Sequence, residues 1–191
     1  MSEKFKNKYR IASTRLQTWD YGWNGAYFVT ICTQNRECFF GKIVNGDMRL
    51  SETGKIAHNF WIEIPDHFPF VKLGEFVVMP NHVHGIVIID KLENHEGMPN
   101  LGNDVETPNL GVSTPTKNGG KNEQWKPGTL GVIINQYKRI CTINARKINT
   151  EFGWQTRFHD SIIRNDLAFH TISNYIINNP SKWGRDTFIK Q

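Results

Sequence analysis

FVKLGEFVVMPNHVHGIVII, residues 70–89, holds two apolar runs, Phe70–Met79 and Val83–Ile89, broken by Pro80-Asn81. β-Branched and aromatic side chains suit a pleated, half-buried surface, and Pro withdraws a backbone donor where a chain leaves a ladder. The stretch predicts a strand, a tight connection and a second strand paired antiparallel to the first. His82 and His84 open the second run. Side chains two apart on a strand share a face, so both imidazoles are expected on one side of the sheet and Val83 on the other.

Upstream, Ala26–Thr33 reads as a strand, and Cys38–Val44 with Met48–Leu50 as a hairpin turning on Asn45-Gly46. Ser51 then caps a helix whose apolar residues Ile56, Phe60, Trp61 and Ile64 recur at helical spacing, with Pro65 as its stop. Periodicity vanishes between residues 91 and 126, a Gly-, Asn-, Pro- and Thr-rich stretch expected to form a flexible surface insertion. Thr129 is the expected N-cap of a long helix carrying Val132, Ile133, Tyr137, Ile140, Ile143 and Ile148. Arg157–Arg164 reads as a strand. Asp166 caps a last helix through about Asn178, and Pro180 follows. Without the hairpin and the insertion, the order is β-α-β-β-α-β plus one helix, the ferredoxin-like split βαβ pattern of the α+β class. Such a sandwich packs two helices on one face of an antiparallel sheet and leaves the other face for a site. The expected organisation is a basic segment at 1–20 and a single domain over 21–191.

Charge is unevenly spread. Residues 1–20 carry five Lys or Arg against two acids, residues 121–191 eleven against five, and residues 21–120 seven against eleven. Basic ends around an acidic middle fit a surface for phosphates. Lys4, Lys6, Lys8 and Arg10 at the start, and Lys138, Arg139, Arg146 and Lys147 on the long helix, are the candidate phosphate contacts. Trp19, Tyr21 and Trp23 are candidates for stacking on unpaired bases. Three cysteines without CxxC spacing argue against a zinc knuckle or disulfide framework. The polar, basic start and the lack of a membrane-length apolar run lead to the expectation of a cytoplasmic protein without a membrane partner.

Two neutral imidazoles on one face can supply two ligands to a divalent metal. Tyr175 and Asn179, four apart, would display a phenol and an amide oxygen on one helical face. A phenol can act as a covalent nucleophile, and an amide oxygen suits Mg²⁺ or Mn²⁺. Tyrosines on amphipathic helices usually pack, and Tyr137 is a rival for the same part. His159 and Asp160 are candidate bases or DNA contacts.

MPNHVHGIVII (79–89) resembles the His-hydrophobe-His, or HUH, motif of single-tyrosine transposases and relaxase-like nucleases. HTISNYIINNPSKW (170–183) resembles their late catalytic helix. YIxxNP, WQTRFHDSIIRN (154–165) and YGWNGAYFVTICTQNRECFFG (21–41) look like the REP-associated tyrosine transposase branch, related to insertion-sequence transposases. The resemblance runs from Tyr21 to Trp183 outside the insertion. It implies His82, His84 and Asn179 as ligands of Mg²⁺ or Mn²⁺, and Tyr175 as the nucleophile on single-stranded DNA beside a hairpin. Tyr137 has no catalytic part in that pattern. Insertion-sequence members often carry Gln where Asn179 stands. Relatives act as monomers or as homodimers. The two other classes left open are a DNA-binding regulator without chemistry and a metal-dependent nuclease that cuts with water.

Overall fold

The computed structural model describes residues 19–91 and 127–185, together with two short paired strands, β1 (Lys4–Phe5) and β2 (Lys8–Tyr9). Of the expected insertion at 91–126, all but Lys91 lies outside the described residues, as do Lys6 and Arg10. The remaining elements are β3 (Gly25–Cys32), β4 (Gly41–Val44), β5 (Asp47–Leu50), α1 (Glu52–Ile62), α2 (Ile64–His67), β6 (Val71–Met79), β7 (His82–Ile89), α3 (Leu130–Ala145), β8 (His159–Ile163) and α4 (Asp166–Ile177), closed by a 3-10 helix, Pro180–Arg185.

Four strands form one antiparallel sheet in the order β6-β7-β3-β8, and β4 pairs with β5 as a separate hairpin. This is the α+β sandwich expected of the β-α-β-β-α-β order. Alternation along the strands divides the core in two. Tyr27, Val29, Ile31, Val83, Val87 and Ile89 face α1 and α3 and pack with Ala57, Trp61, Ile133, Ile134 and Tyr137. Ala26, Phe28, Ile86 and Ile88 face the other way and meet Phe169, Ile172 and Ile176 of α4 in a smaller cluster. Burying a large aliphatic side chain contributes roughly 1.5–3 kcal/mol, so the larger cluster holds the sheet to its helices while α4 is held by fewer such contacts. No helix among the described residues is long and apolar enough to cross a membrane.

Several boundaries move for local reasons. The hairpin starts at Gly41, not Cys38. Gly41 has φ +134, and a Cβ there would collide with the carbonyl of Arg49, so the strand can begin only at a residue without a side chain. The residues before it make a 3-10 turn, Gln34–Arg36, with Asn35 and Arg36 both left-handed. Helix α1 ends at Ile62, ahead of Pro65, which sits in the first turn of α2. A missing N–H costs nothing there. Ser51 caps α1 as expected, its side chain accepting from the backbone of Gly54. Thr129 occupies the cap position of α3 but makes no side-chain capping bond. That helix stops at Ala145, leaving Ile148 outside and exposed. The cap of α4 is Asn165, which accepts from Ala168 N at 2.8 Å, and Asp166 is the first helical residue. Its carboxylate there favours the positive end of the helix dipole.

Candidate metal and nucleophile site

His82 and His84 lie on the α4 side of β7, opposite Cys32 and Thr30 of β3. Both are buried, and their ring centroids are 4.4 Å apart. Each imidazole is anchored at Nδ1. His84 Nδ1 lies 2.8 Å from the Thr30 hydroxyl, and His82 Nδ1 lies 2.7 Å from Asn81 Oδ1. The buried Asn81 amide donates its Nδ2 to the carbonyl of Arg36 at 3.2 Å, which turns its oxygen toward the imidazole. An amide oxygen only accepts. His82 therefore carries its proton on Nδ1 and its lone pair on Nε2. Burial lowers the pKa of His82 to about 2, helped by the neighbouring His84 and Arg36, and burial lowers that of His84 to about 3. Both rings are neutral at physiological pH, the form that binds metals.

Helix α4 brings Tyr175 to this face. Its hydroxyl is 3.3 Å from His84 Nε2, and its ring stands edge-on to Phe28, which stacks on His84. Tyr175 as a whole is 40% exposed. Asn179 does not continue the helical face of Tyr175, as its spacing had predicted. Asn178 is the C-cap of α4, and Asn179 N closes a tighter turn on Ile176 O at 3.2 Å. The tightening carries Asn179 inward: it is 4% exposed, and its Oδ1 accepts no hydrogen bond among the described residues. The 3-10 helix beyond sets Trp183 against His82, with ring centroids 6.1 Å apart. The chain thus meets His84 at Tyr175 and His82 at Trp183, with Asn179 between them.

A buried polar atom without a partner costs about 1–3 kcal/mol, and a hard cation would satisfy an amide oxygen. Two neutral imidazoles and that oxygen are a donor set suited to Mg²⁺ or Mn²⁺ with further sites left open. No group of three His, Cys, Asp or Glu that could hold a metal ion occurs among the described residues.

The other candidates separate by position. Tyr137 is buried, donates to Ala57 O at 3.0 Å, and has its phenol pKa raised well above the ordinary value by burial. His159 pairs with Thr30 and shares the face of the site, whereas Asp160 pairs with Val29. Trp19 and Tyr21 pack against the main core, and Trp23 is half-exposed. Lys138 donates to the carbonyls of Gln155 and Thr156, Arg146 to that of Phe152, and Lys147 to Asn144 Oδ1, while Arg139 is exposed. Sequence reasoning missed Thr30, Phe28, Asn81 and Trp183. For Asn81 a signal was present: it directly precedes the first histidine.

Asn81 makes a testable contribution. In metal-free protein, ¹⁵N NMR is expected to show His82 protonated at Nδ1. In Asn81→Ala the tautomers should mix, because the oxygen that holds the Nδ1 proton is gone. An unchanged tautomer in a folded variant would mean that Asn81 does not set it.

No family model matches the chain. An uncharacterized protein of Haemophilus influenzae is 36% identical to it over 175 residues, 91% of this chain and 90% of the other. The chain belongs to that protein's family. The family's fold recurs in the solved structure of a REP-associated tyrosine transposase bound to a REP hairpin. That structure aligns with 95% of this chain and 78% of its own, at 18% identity and a TM-score of 0.55.

Proposed function

We propose that this protein is a transposase of the REP-associated tyrosine type, cutting and rejoining single-stranded DNA beside a hairpin. The observation that carries the reading is the Tyr175 hydroxyl 3.3 Å from Nε2 of His84, a nucleophile at the ligand-bearing face of a neutral imidazole pair. In this reading His82, His84 and Asn179 hold Mg²⁺ or Mn²⁺. A bound cation there would withdraw charge from the phosphate oxygens and favour in-line attack.

The side chains supply the rest. Tyr175 Oη forms a bond to phosphorus as the bond from phosphorus to the 3′ oxygen breaks. The 3′ oxygen leaves as a hydroxyl, and the 5′ phosphate stays on the tyrosine. An ordinary phenol has a pKa of about 10, and the exposure of Tyr175 lets its proton pass to solvent as the bond forms. One phosphodiester replaces another, so the freed hydroxyl can reverse the step without a nucleotide cofactor. Phe28 keeps the phenol beside His84, and Trp183 covers His82. The hairpin bound by the structural neighbour supports a folded DNA end as the substrate here.

The test is a covalent adduct. Single-stranded DNA labelled at its 3′ end, incubated with the protein and Mn²⁺, should yield label migrating with the denatured protein. Cleavage without that band would make the protein a nuclease that uses water. Binding with neither would make it a regulator.

A further inference from the structure

An open groove of about 430 Å³ lies on the outer side of α3, apart from the histidines. Lys138, Arg139 and Arg146 line it with Gln34, Trp154 and Gln155, and no carboxylate does. The hydrogen bonds of Lys138 and Arg146 go to main-chain carbonyls, and among the described residues no carboxylate pairs with either. The wall at 153–155 is fixed. Trp154 donates its indole N–H to Lys138 O, Gln34 N bonds Gly153 O, and Gln155 N bonds Cys32 O. Cys32 is the strand partner of His82. The groove therefore adjoins the end of the sheet that carries the histidines. A second cavity, between α1 and α3, differs in charge, because Glu63 accompanies Lys147 there.

We propose that this groove binds consecutive backbone phosphates of the single strand flanking the cleaved phosphate, with Arg139, Lys138 and Arg146 as the cationic contacts and Gln34 at the end nearer the site. The inference rests on the reading of the protein as a strand-cutting enzyme and adds the path of the uncut flank. It also divides the basic residues between 138 and 147, because Lys147 lies outside the groove. Phosphates are read here as charge, so the groove should favour no base sequence.

The test is salt-dependent binding of a fluorescent single-stranded oligonucleotide to the full chain, comparing wild type, Arg139→Gln and Lys147→Gln. Both changes are on exposed side chains and remove one charge each. Losing a phosphate contact on a single strand should reduce the slope of log affinity against log salt by about 0.7. Arg139→Gln is expected to show that reduction and to bind about fivefold more weakly, whereas Lys147→Gln should match wild type. Competition by millimolar inorganic phosphate at constant ionic strength should be weak, because one anion cannot replace a row of them. An unchanged slope in Arg139→Gln, an equal loss in Lys147→Gln, or full competition by free phosphate would overturn the groove assignment. The two readings fail separately: an adduct with no effect of Arg139 removes the groove alone, and an effect of Arg139 with no adduct removes the nucleophile alone.

Discussion

Tyr175→Phe is expected to bind hairpin DNA within about twofold of wild type and to form neither adduct nor cleaved strand. The hydroxyl lost is the group 3.3 Å from His84 Nε2, while the ring that packs edge-on to Phe28 remains. Little stability should be lost, since the side chain is 40% exposed. Removing an attacking atom leaves no alternative within the same chemistry, so the adduct should fall below detection, as removing a covalent nucleophile costs on the order of 10⁶-fold in rate. Tyr137→Phe is the control, and its effects should be opposite. Its hydroxyl donates to Ala57 O from inside the main core, so its loss removes one buried hydrogen bond and should cost about 0.5–1.5 kcal/mol of stability. Cleavage per folded molecule should persist. A label-bearing protein band from Tyr175→Phe would refute the assignment.

His82→Asn combined with His84→Asn is expected to abolish cleavage in Mn²⁺ while hairpin binding remains. The side chains proposed to hold DNA phosphates lie elsewhere, and contacts that position a backbone are separable from chemistry. The same variant should also change the response to acid. Each histidine is neutral and buried, with its folded pKa lowered from 6.5 to about 2 for His82 and about 3 for His84. Below pH 6.5 the unfolded chain takes up the protons first, so the stability present above that pH is lost as pH falls toward the folded values. The loss is at most about 1.4 kcal/mol per pH unit for each imidazole. In EDTA, the melting temperature of wild type should therefore fall more steeply between pH 6.5 and 4 than that of the double variant. Parallel curves would show that the imidazoles are not buried in neutral form, and cleavage by the double variant would remove them from the site.

Much of this arrangement was legible because it depends on periodicity. Alternation in residues 82–89 placed both imidazoles on one face, and the β-α-β-β-α-β order gave the sandwich with that face uncovered by α1 and α3. What escaped depended on tertiary closure. The i, i+4 rule placed Asn179 on the helix of Tyr175, but the helix ends at Ile177, and a tighter turn takes the amide inward. Thr30 and Phe28 looked like ordinary members of a strand until the register set Thr30 opposite His84. Asn81 looked like a turn residue because the Arg36 carbonyl that orients its amide becomes a neighbour only when the chain folds. The basic residues Lys138, Arg139, Arg146 and Lys147 looked like members of one long helix in sequence, but α3 ends at Ala145, and Lys147, beyond its cap Arg146, lies outside the groove that the other three line.

Gly85 follows His84 directly and faces the opposite layer, where a Cβ would collide with the indole of Trp61 on α1. The height of the histidine strand above the helices is thus gauged by one aromatic ring pressed against bare backbone. Any side chain at 85 would lift β7 or displace the ring, and a smaller residue at 61 would open a void beneath the strand. Across the family's descent, positions 61 and 85 should be replaced as a pair or kept as a pair, even though both are buried away from the surface.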